Sequence, residues 1–247
     1  MSTTFTTTPA SPVSGAMTVY DARAFVRQFA RSAGDSSQYS NEQIDRALQA
    51  CLSRFCRRTR ALIYTTSASL AVDDTGFVVQ KPPSNTGNPG EVTVMPEQLM
   101  SVRLVTTGEA ITIISSSALE ELVAAGDTDV DPQGAISSNW DSIGTGGFLI
   151  SFWPPATVEQ TVHAKLWLNA TAWTPGLSDE DAQLTTLNLP IAWLNQILPY
   201  GPTALLQHNE PEHAYASPTW QKYLEVEQSF MGAGNLGRRV MIRKKRP

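Results

Sequence analysis

Side chains that carry chemistry are scarce in this sequence. Its 247 residues include two cysteines, Cys51 and Cys56, and three histidines, His163, His208 and His213. The cysteines stand five apart in a helical pattern, where their side chains diverge by well over a right angle, so no disulfide is expected between them. Cysteines and histidines nowhere fall at zinc-ligand spacing. No serine elbow or activated cysteine stands beside a histidine, which leaves nucleophilic and acid–base catalysis without a recognisable carrier. The expectation is a protein that is not an enzyme, holds no cofactor or metal, and is made in a reducing cytoplasm.

Charge is also low, at 17% of residues against a usual share of about 25%. Surfaces poor in charge point to self-association. From Ala182 to Asn209 there is no Asp, Glu, Lys or Arg, yet Pro190, Pro199, Gly201 and Pro202 interrupt the stretch and Asn188, Asn195 and Gln196 dilute it. A membrane-spanning helix of about 20 apolar residues is thereby excluded, and a core or subunit-interface segment is expected. Residues 1–18 lack both the basic start and the apolar run of a secretory signal, and are expected as a flexible arm.

Positive charge is concentrated at one place. Arg238, Arg239, Arg243, Lys244, Lys245 and Arg246 put six of the eighteen basic residues in the last ten positions, which leaves the rest of the chain twelve basic and twenty-three acidic residues, or −11. Val240, Met241 and Ile242 lie among these cations. Apolar anchors give affinity and cations steer encounter, so this segment reads as one that docks on a partner. DNA binding alone would not need the apolar triplet.

Gly232, Gly234 and Gly237, just before it, match the G-x-G-x-x-G spacing of a dinucleotide site. That site needs a preceding strand, a following helix and an acidic residue about twenty positions on. Here a helix is expected before Gly232, and ten residues follow Gly237. The glycines are therefore expected to act as a helix C-cap at Gly232 and as hinges at Gly234 and Gly237. Gly144 to Gly147 lacks the Lys-Ser/Thr ending of a phosphate loop, and Asp127, Asp129 and Asp131 lack the glycine and distal glutamate of a calcium loop.

Helical periodicity marks both ends of the chain. Thr18 and Asp21 form a capping box ahead of Ala22, Phe25, Val26 and Phe29; Ser40 and Gln43 form another ahead of Ile44, Leu48, Cys51, Leu52 and Phe55. After Leu62 the period shifts towards two, in LIYTTSASLAV, GFVVQK, EVTVMP, SVRLVTT, AITIISS, FLISFW and TVHAKLWLNATAW. SALEELVAAG suits a short helix. Residues 82–90 and 127–147 read as long irregular loops. Pro190 opens another helix, and Ser217 with Pro218 opens the last, carrying Trp220, Tyr223, Leu224, Glu227 and Phe230 on one side and ending at Gly232. The fold class expected is α+β: a helical bundle of residues 19–62 and 182–232, an antiparallel β domain of residues 63–181 inserted into it, an arm of residues 1–18 and a basic tail of residues 233–247.

A strand ending in Trp-Pro-Pro, an alternating second strand, an acidic spacer, Leu-x-Leu-Pro opening a helix, and a final Trp-x-x-Tyr helix occur in FLISFWPPATVEQTVHAKLWLNATAW, LTTLNLPIAWLNQILPYGPTALL and WQKYLEVEQSFMGAG. Together with NEQIDRALQACLSRFCRRT, these segments resemble the head-to-tail adaptor proteins of short-tailed and related bacteriophages. The resemblance implies a structural virion protein assembled as a ring, usually of twelve copies, between the portal protein and a tail or nozzle protein. It implies that packaged DNA passes through the ring without sequence-specific binding, and that the C-terminal segment, Arg238 to Arg246, reaches the portal. Two other readings stay open: a tail completion or tail-tube protein, and a carbohydrate-binding β module using Trp140, Trp153, Trp167 and Trp173.

Overall fold

The computed structural model describes residues 16–32, 39–79, 96–137, 147–208 and 211–243, with backbone alone at 31–32, 211 and 232–243. In chain order the elements are α1 (Val19–Ser32), α2 (Asn41–Thr59), β1 (Ile63–Leu70), β2 (Gly76–Val79), a 3-10 turn (Pro96–Gln98), β3 (Leu99–Leu104), β4 (Ala110–Ile113), α3 (Ser116–Ala125), β5 (Gln133–Ile136), β6 (Phe148–Trp153), β7 (Gln160–Trp167), α4 (Asp179–Leu184), α5 (Ile191–Ile197), α6 (Gly201–Gln207), α7 (Pro211–Ala216) and α8 (Pro218–Arg243). They form two compact units. Described residues 63–79, 96–137 and 147–168 make a sheet unit, and described residues 16–62 and 169–243 make a helical unit.

The sheet unit is one seven-stranded sheet in the order β1-β7-β3-β4-β5-β6-β2. Alternation sets its buried face: Phe148, Ile150 and Phe152 on β6 and Val162, Ala164 and Leu166 on β7 are all buried, while Leu149, Ser151, His163 and Lys165 are not. SVRLVTT and AITIISS pair as a hairpin, with β3 and β4 antiparallel and Gly108 between them at φ +73°. The outermost strands β1 and β2 are joined by the short turn 71–75, which draws the sheet towards a barrel.

Two findings overturn the expected architecture of an antiparallel β domain inserted into a helical bundle. The sheet is mixed: β4 and β5 run parallel, Thr112 beside Gln133 and Ile113 beside Gly134. The connection between them is α3, which Ser115 caps through its hydroxyl and Gly126 ends at φ +67°. The sheet is also the central element of the chain rather than an insert, and what flanks it in sequence is not a regular bundle. Pro190, Pro199, Pro202, Pro211 and Pro218 divide the C-terminal segment into α5, α6, α7 and α8, because proline is accepted in a helix's first turn and not in its interior. Strand β5 lies inside the segment read as an irregular loop. Residues 82–90 and EVTV lie outside the described residues.

In the helical unit both capping boxes form. Asp21 N donates to Thr18 Oγ1 at 3.1 Å and Thr18 N to Asp21 Oδ2 at 3.3 Å. Gln43 N donates to Ser40 Oγ at 3.2 Å and Ser40 N to Gln43 Oε1 at 2.9 Å. Ile44, Leu48, Cys51, Leu52 and Phe55 of α2 are buried together with Leu194, Ile197, Leu198 and Tyr223. The arm expected at 1–18 is already tied down at its end: Met17 is buried, and its carbonyl accepts from Leu187 N at 2.9 Å. Residues 169–181, expected with the β region, belong to the helical unit.

Candidate docking site

The site begins at Ser217. Its hydroxyl caps α8 by accepting from Trp220 N at 3.1 Å, and Pro218 occupies the first helical position. The first half of α8 is anchored on α2. Tyr223 is fully buried and its hydroxyl donates to Cys51 O at 3.0 Å. Phe230 meets Phe55 and Trp193 with ring centroids 5.0 and 5.2 Å apart. A Cβ on Gly201 would stand 2.8 Å from the Tyr223 ring and 3.0 Å from Cys51 Sγ, so only glycine lets α6 approach this closely.

One charge is buried in this contact. Glu227 is 1% exposed and faces Arg54 across 3.3 Å at both Oε1 and Oε2. Arg54 also lies over the Trp220 ring, 5.5 Å from its centroid. The glutamate that interrupts the apolar stripe of α8 is thus paired with an arginine that is itself partly exposed.

Beyond Phe230 the structure departs from expectation. The helix does not end at Gly232, and Gly234 and Gly237 are not breaks: all three are helical, and α8 continues to Arg243, 26 residues in all, or about 39 Å. A glycine in a helix interior costs about 1 kcal/mol relative to alanine, which weakens the helix without stopping it. No proline intervenes before Pro247, Met231, Leu236, Arg238 and Arg239 favour helix, and cations near a helix C-terminus complement its dipole. Arg238, Arg239, Val240, Met241, Ile242 and Arg243 have helical backbone; Lys244, Lys245 and Arg246 lie outside the described residues.

Helices α8 and α2 run the same way along their contact. Tyr223 meets Cys51, and further along Phe230 meets Phe55. The cationic continuation of α8 therefore follows at the end of the unit where α2 presents Arg57 and Arg58 in its last turn, both exposed.

The remaining chemical candidates do not converge. Burial pushes the Cys56 thiol up to about 12 and holds the Cys51 thiol far above its ordinary range, the latter opposed by Arg54 and reinforced by Glu227. Both cysteines are free and buried. His163 is on β7, in a different unit from His208 and His213. No group of three or more His, Cys, Asp or Glu among the described residues could hold a metal ion. Trp167 and Trp173 are buried, and Trp153 donates to Asp127 O at 2.6 Å; Trp140 lies outside the described residues. Trp167 and Trp173 therefore present no aromatic face to solvent, whereas Trp153 is half-buried.

The residues missed by sequence reasoning are Arg23 and Asp45, both 0% exposed. Arg23 Nε donates to Asp45 Oδ1 at 2.8 Å and Nη2 to Asp45 Oδ2 at 2.6 Å, a two-pronged pair joining α1 to α2. Asp45 Oδ2 also accepts from Gly176 N at 2.8 Å, and Arg23 Nη2 donates to Leu177 O at 3.0 Å. The segment entering α4 is thereby fixed over the start of α2. The only signal in the sequence is the place of Arg23 beside Ala22 and Val26 on the buried stripe. Among the described residues no helix is long and apolar enough to cross a membrane. In comparison with known proteins, no family model and no curated protein matches this chain.

Proposed function

We propose that this chain is a structural protein of a bacteriophage virion, a head-to-tail adaptor that assembles as a ring of twelve copies between the portal and the tail. In this reading it performs no catalysis. The observation that carries it is α8: one helix whose first half is anchored in the core by Tyr223, Glu227 and Phe230, and whose second half bears the cations and the apolar triplet Val240, Met241 and Ile242. A continuous helix presents such residues with less entropy lost on docking than a loose tail would. Portal is the partner the reading assigns to that segment. The rest of the chain, at −11, would repel packaged DNA and let it slide.

The test is co-sedimentation with purified portal rings. Removing Gly234 to Pro247 leaves the anchored half of α8 in place, so the truncated protein is expected to stay folded and to lose portal binding. Unchanged binding by the truncated protein overturns the proposal. Binding to tail tubes in place of portal rings favours a tail completion protein.

A further inference from the structure

The outward face of β1, β7 and β3 gathers the cations of the sheet unit. We propose that this face is a phosphate-binding site, with Arg103, His163 and Lys165 as its charged and ring donors.

Alternation fixes which side chains share the face. Thr66 and Ala68 on β1, Val162, Ala164 and Leu166 on β7, and Val102 and Leu104 on β3 are buried, so the residues between them point the other way. Register then sets those residues in rows. Ser67 and Arg103 both pair with His163, from opposite sides of β7, and Thr65 and Ser101 both pair with Lys165. Directly paired residues have Cβ atoms about 5 Å apart, and His163 and Lys165, two apart on one strand, are separated by about 7 Å. Arg103 and Lys165 are exposed, and His163 is half-buried between them.

Sheet packing alone does not account for this arrangement. Arg103 and Lys165 are diagonal neighbours on one face, where like charges repel. Carboxylates that could offset them are plentiful, since the described residues of the sheet unit include ten acidic residues against two basic ones, Arg103 and Lys165. All ten stand in turns and loops or in α3, and none within a strand. None of Arg103, His163 and Lys165 has an ion pair with a described residue.

The neighbouring side chains decide the kind of anion. Thr65, Ser67 and Ser101 place hydroxyls beside the three basic groups, and no apolar side chain stands among the six. A protein partner is met by an apolar or aromatic centre, and stacked nucleic-acid bases by aromatic rings. Arginine, lysine and Ser/Thr hydroxyls are instead the groups that hold phosphate oxygens. The planar fork of Arg103 suits two oxygens of one phosphate, and a ring N–H of His163 and the ammonium of Lys165 reach the others from adjoining positions. The phosphate belongs either to a small phosphorylated molecule or to a nucleic-acid backbone.

NMR titration of the full chain with inorganic phosphate tests this, with sodium chloride at equal ionic strength as the control for screening. Signals of the His163 ring and the Arg103 side chain are expected to shift and saturate with phosphate and not with chloride. Arg103→Gln with Lys165→Gln replaces two exposed side chains and is expected to weaken phosphate binding at least about tenfold, with unchanged circular dichroism. Labelled duplex DNA then separates the two sources. DNA binding that falls on making the same two substitutions supports the site with backbone phosphate as its ligand, because the basic tail is intact in both proteins. Phosphate binding without such a change in DNA binding supports the site with a small phosphorylated molecule as its ligand. The proposal is overturned if phosphate moves these signals no more than chloride does, or if the double substitution leaves phosphate affinity unchanged. Neither result bears on portal binding, which is assigned to α8 in the other unit.

Discussion

The two units are held together by different means. In the sheet unit the buried side chains are nearly all apolar, with Val79, Phe148, Ile150 and Leu166 at 0% exposure and Thr66 and Gln98 as the buried polar exceptions. In the helical unit, Arg23 and Asp45 are as inaccessible as any leucine, Glu227 is nearly so, and two cysteine thiols sit in the same core. A sheet with one buried face gets its specificity from register, since a slip of one residue turns its apolar set outward. Short helices broken by prolines have no such register, and directional polar contacts fix their placement instead. The helical unit should therefore be the one sensitive to single polar substitutions and to pH.

The sharpest way to break that contrast is to remove Arg23. Leaving one partner of a buried pair alone costs about 3–5 kcal/mol, and here it would strand Asp45 with Gly176 N as its one donor among the described residues. Arg23→Met is expected to lower stability by about that much in urea unfolding. Arg23→Met with Asp45→Leu should recover most of the loss, because two apolar side chains of similar volume leave no uncompensated charge. If the double variant is as unstable as the single, the cluster acts by shape and not by charge, and the contrast between the units is wrong.

Alkaline pH is the second probe. The Cys56 thiol is raised from 9.0 to about 12 by burial, and that of Cys51 is raised further in the same direction. A group whose folded pKa lies above its unfolded value contributes stability that is complete below the unfolded pKa. That stability falls as pH rises above 9, where the unfolded chain loses the proton and the folded chain keeps it. Each thiol costs about 1.4 kcal/mol per pH unit in that window. Between pH 8 and pH 10 the helical unit is thus expected to lose about 2–3 kcal/mol, and Cys51→Ala with Cys56→Ala should flatten this slope. A slope that persists in the double alanine variant assigns it to other groups, of which Tyr223, also raised by burial, is the first to test.

The same contrast decides what could be read from the sequence. The two-residue period of FLISFW and TVHAKLWLNATAW placed strands there, and both capping boxes located helix starts to the residue. Those signals are local. The pairing of β4 with β5 was not legible, because a parallel neighbour depends on where α3 crosses and leaves no mark on a four-residue strand containing Gly134. Nor was the Arg23 cluster, whose partners Asp45, Gly176 and Leu177 are distant in sequence from α1. At the candidate docking site, the start of α8 at Ser217 and Pro218 was legible. The helical course of Gly232, Gly234 and Gly237 was not, since glycine is the commonest residue after a helix end and its presence was read as a stop.

The smallest expected effect belongs to the sheet unit and tests the other side of the comparison. Ile150 is fully buried on β6, beside Phe77 on β2 and Ile136 on β5. Its Cγ2 already lies 3.2 Å from where a Cβ on Gly134 would stand, so the surroundings are tight on that side. Ile150→Val keeps Cγ2 and removes only the terminal methyl, which should cost about 0.5–1.5 kcal/mol. That loss should be the same at pH 8 and pH 10, since no titrating group is involved. A loss that grows with pH would mean that the sheet core is coupled to the thiols of the helical unit, and the two units would then have to be treated as one cooperative structure.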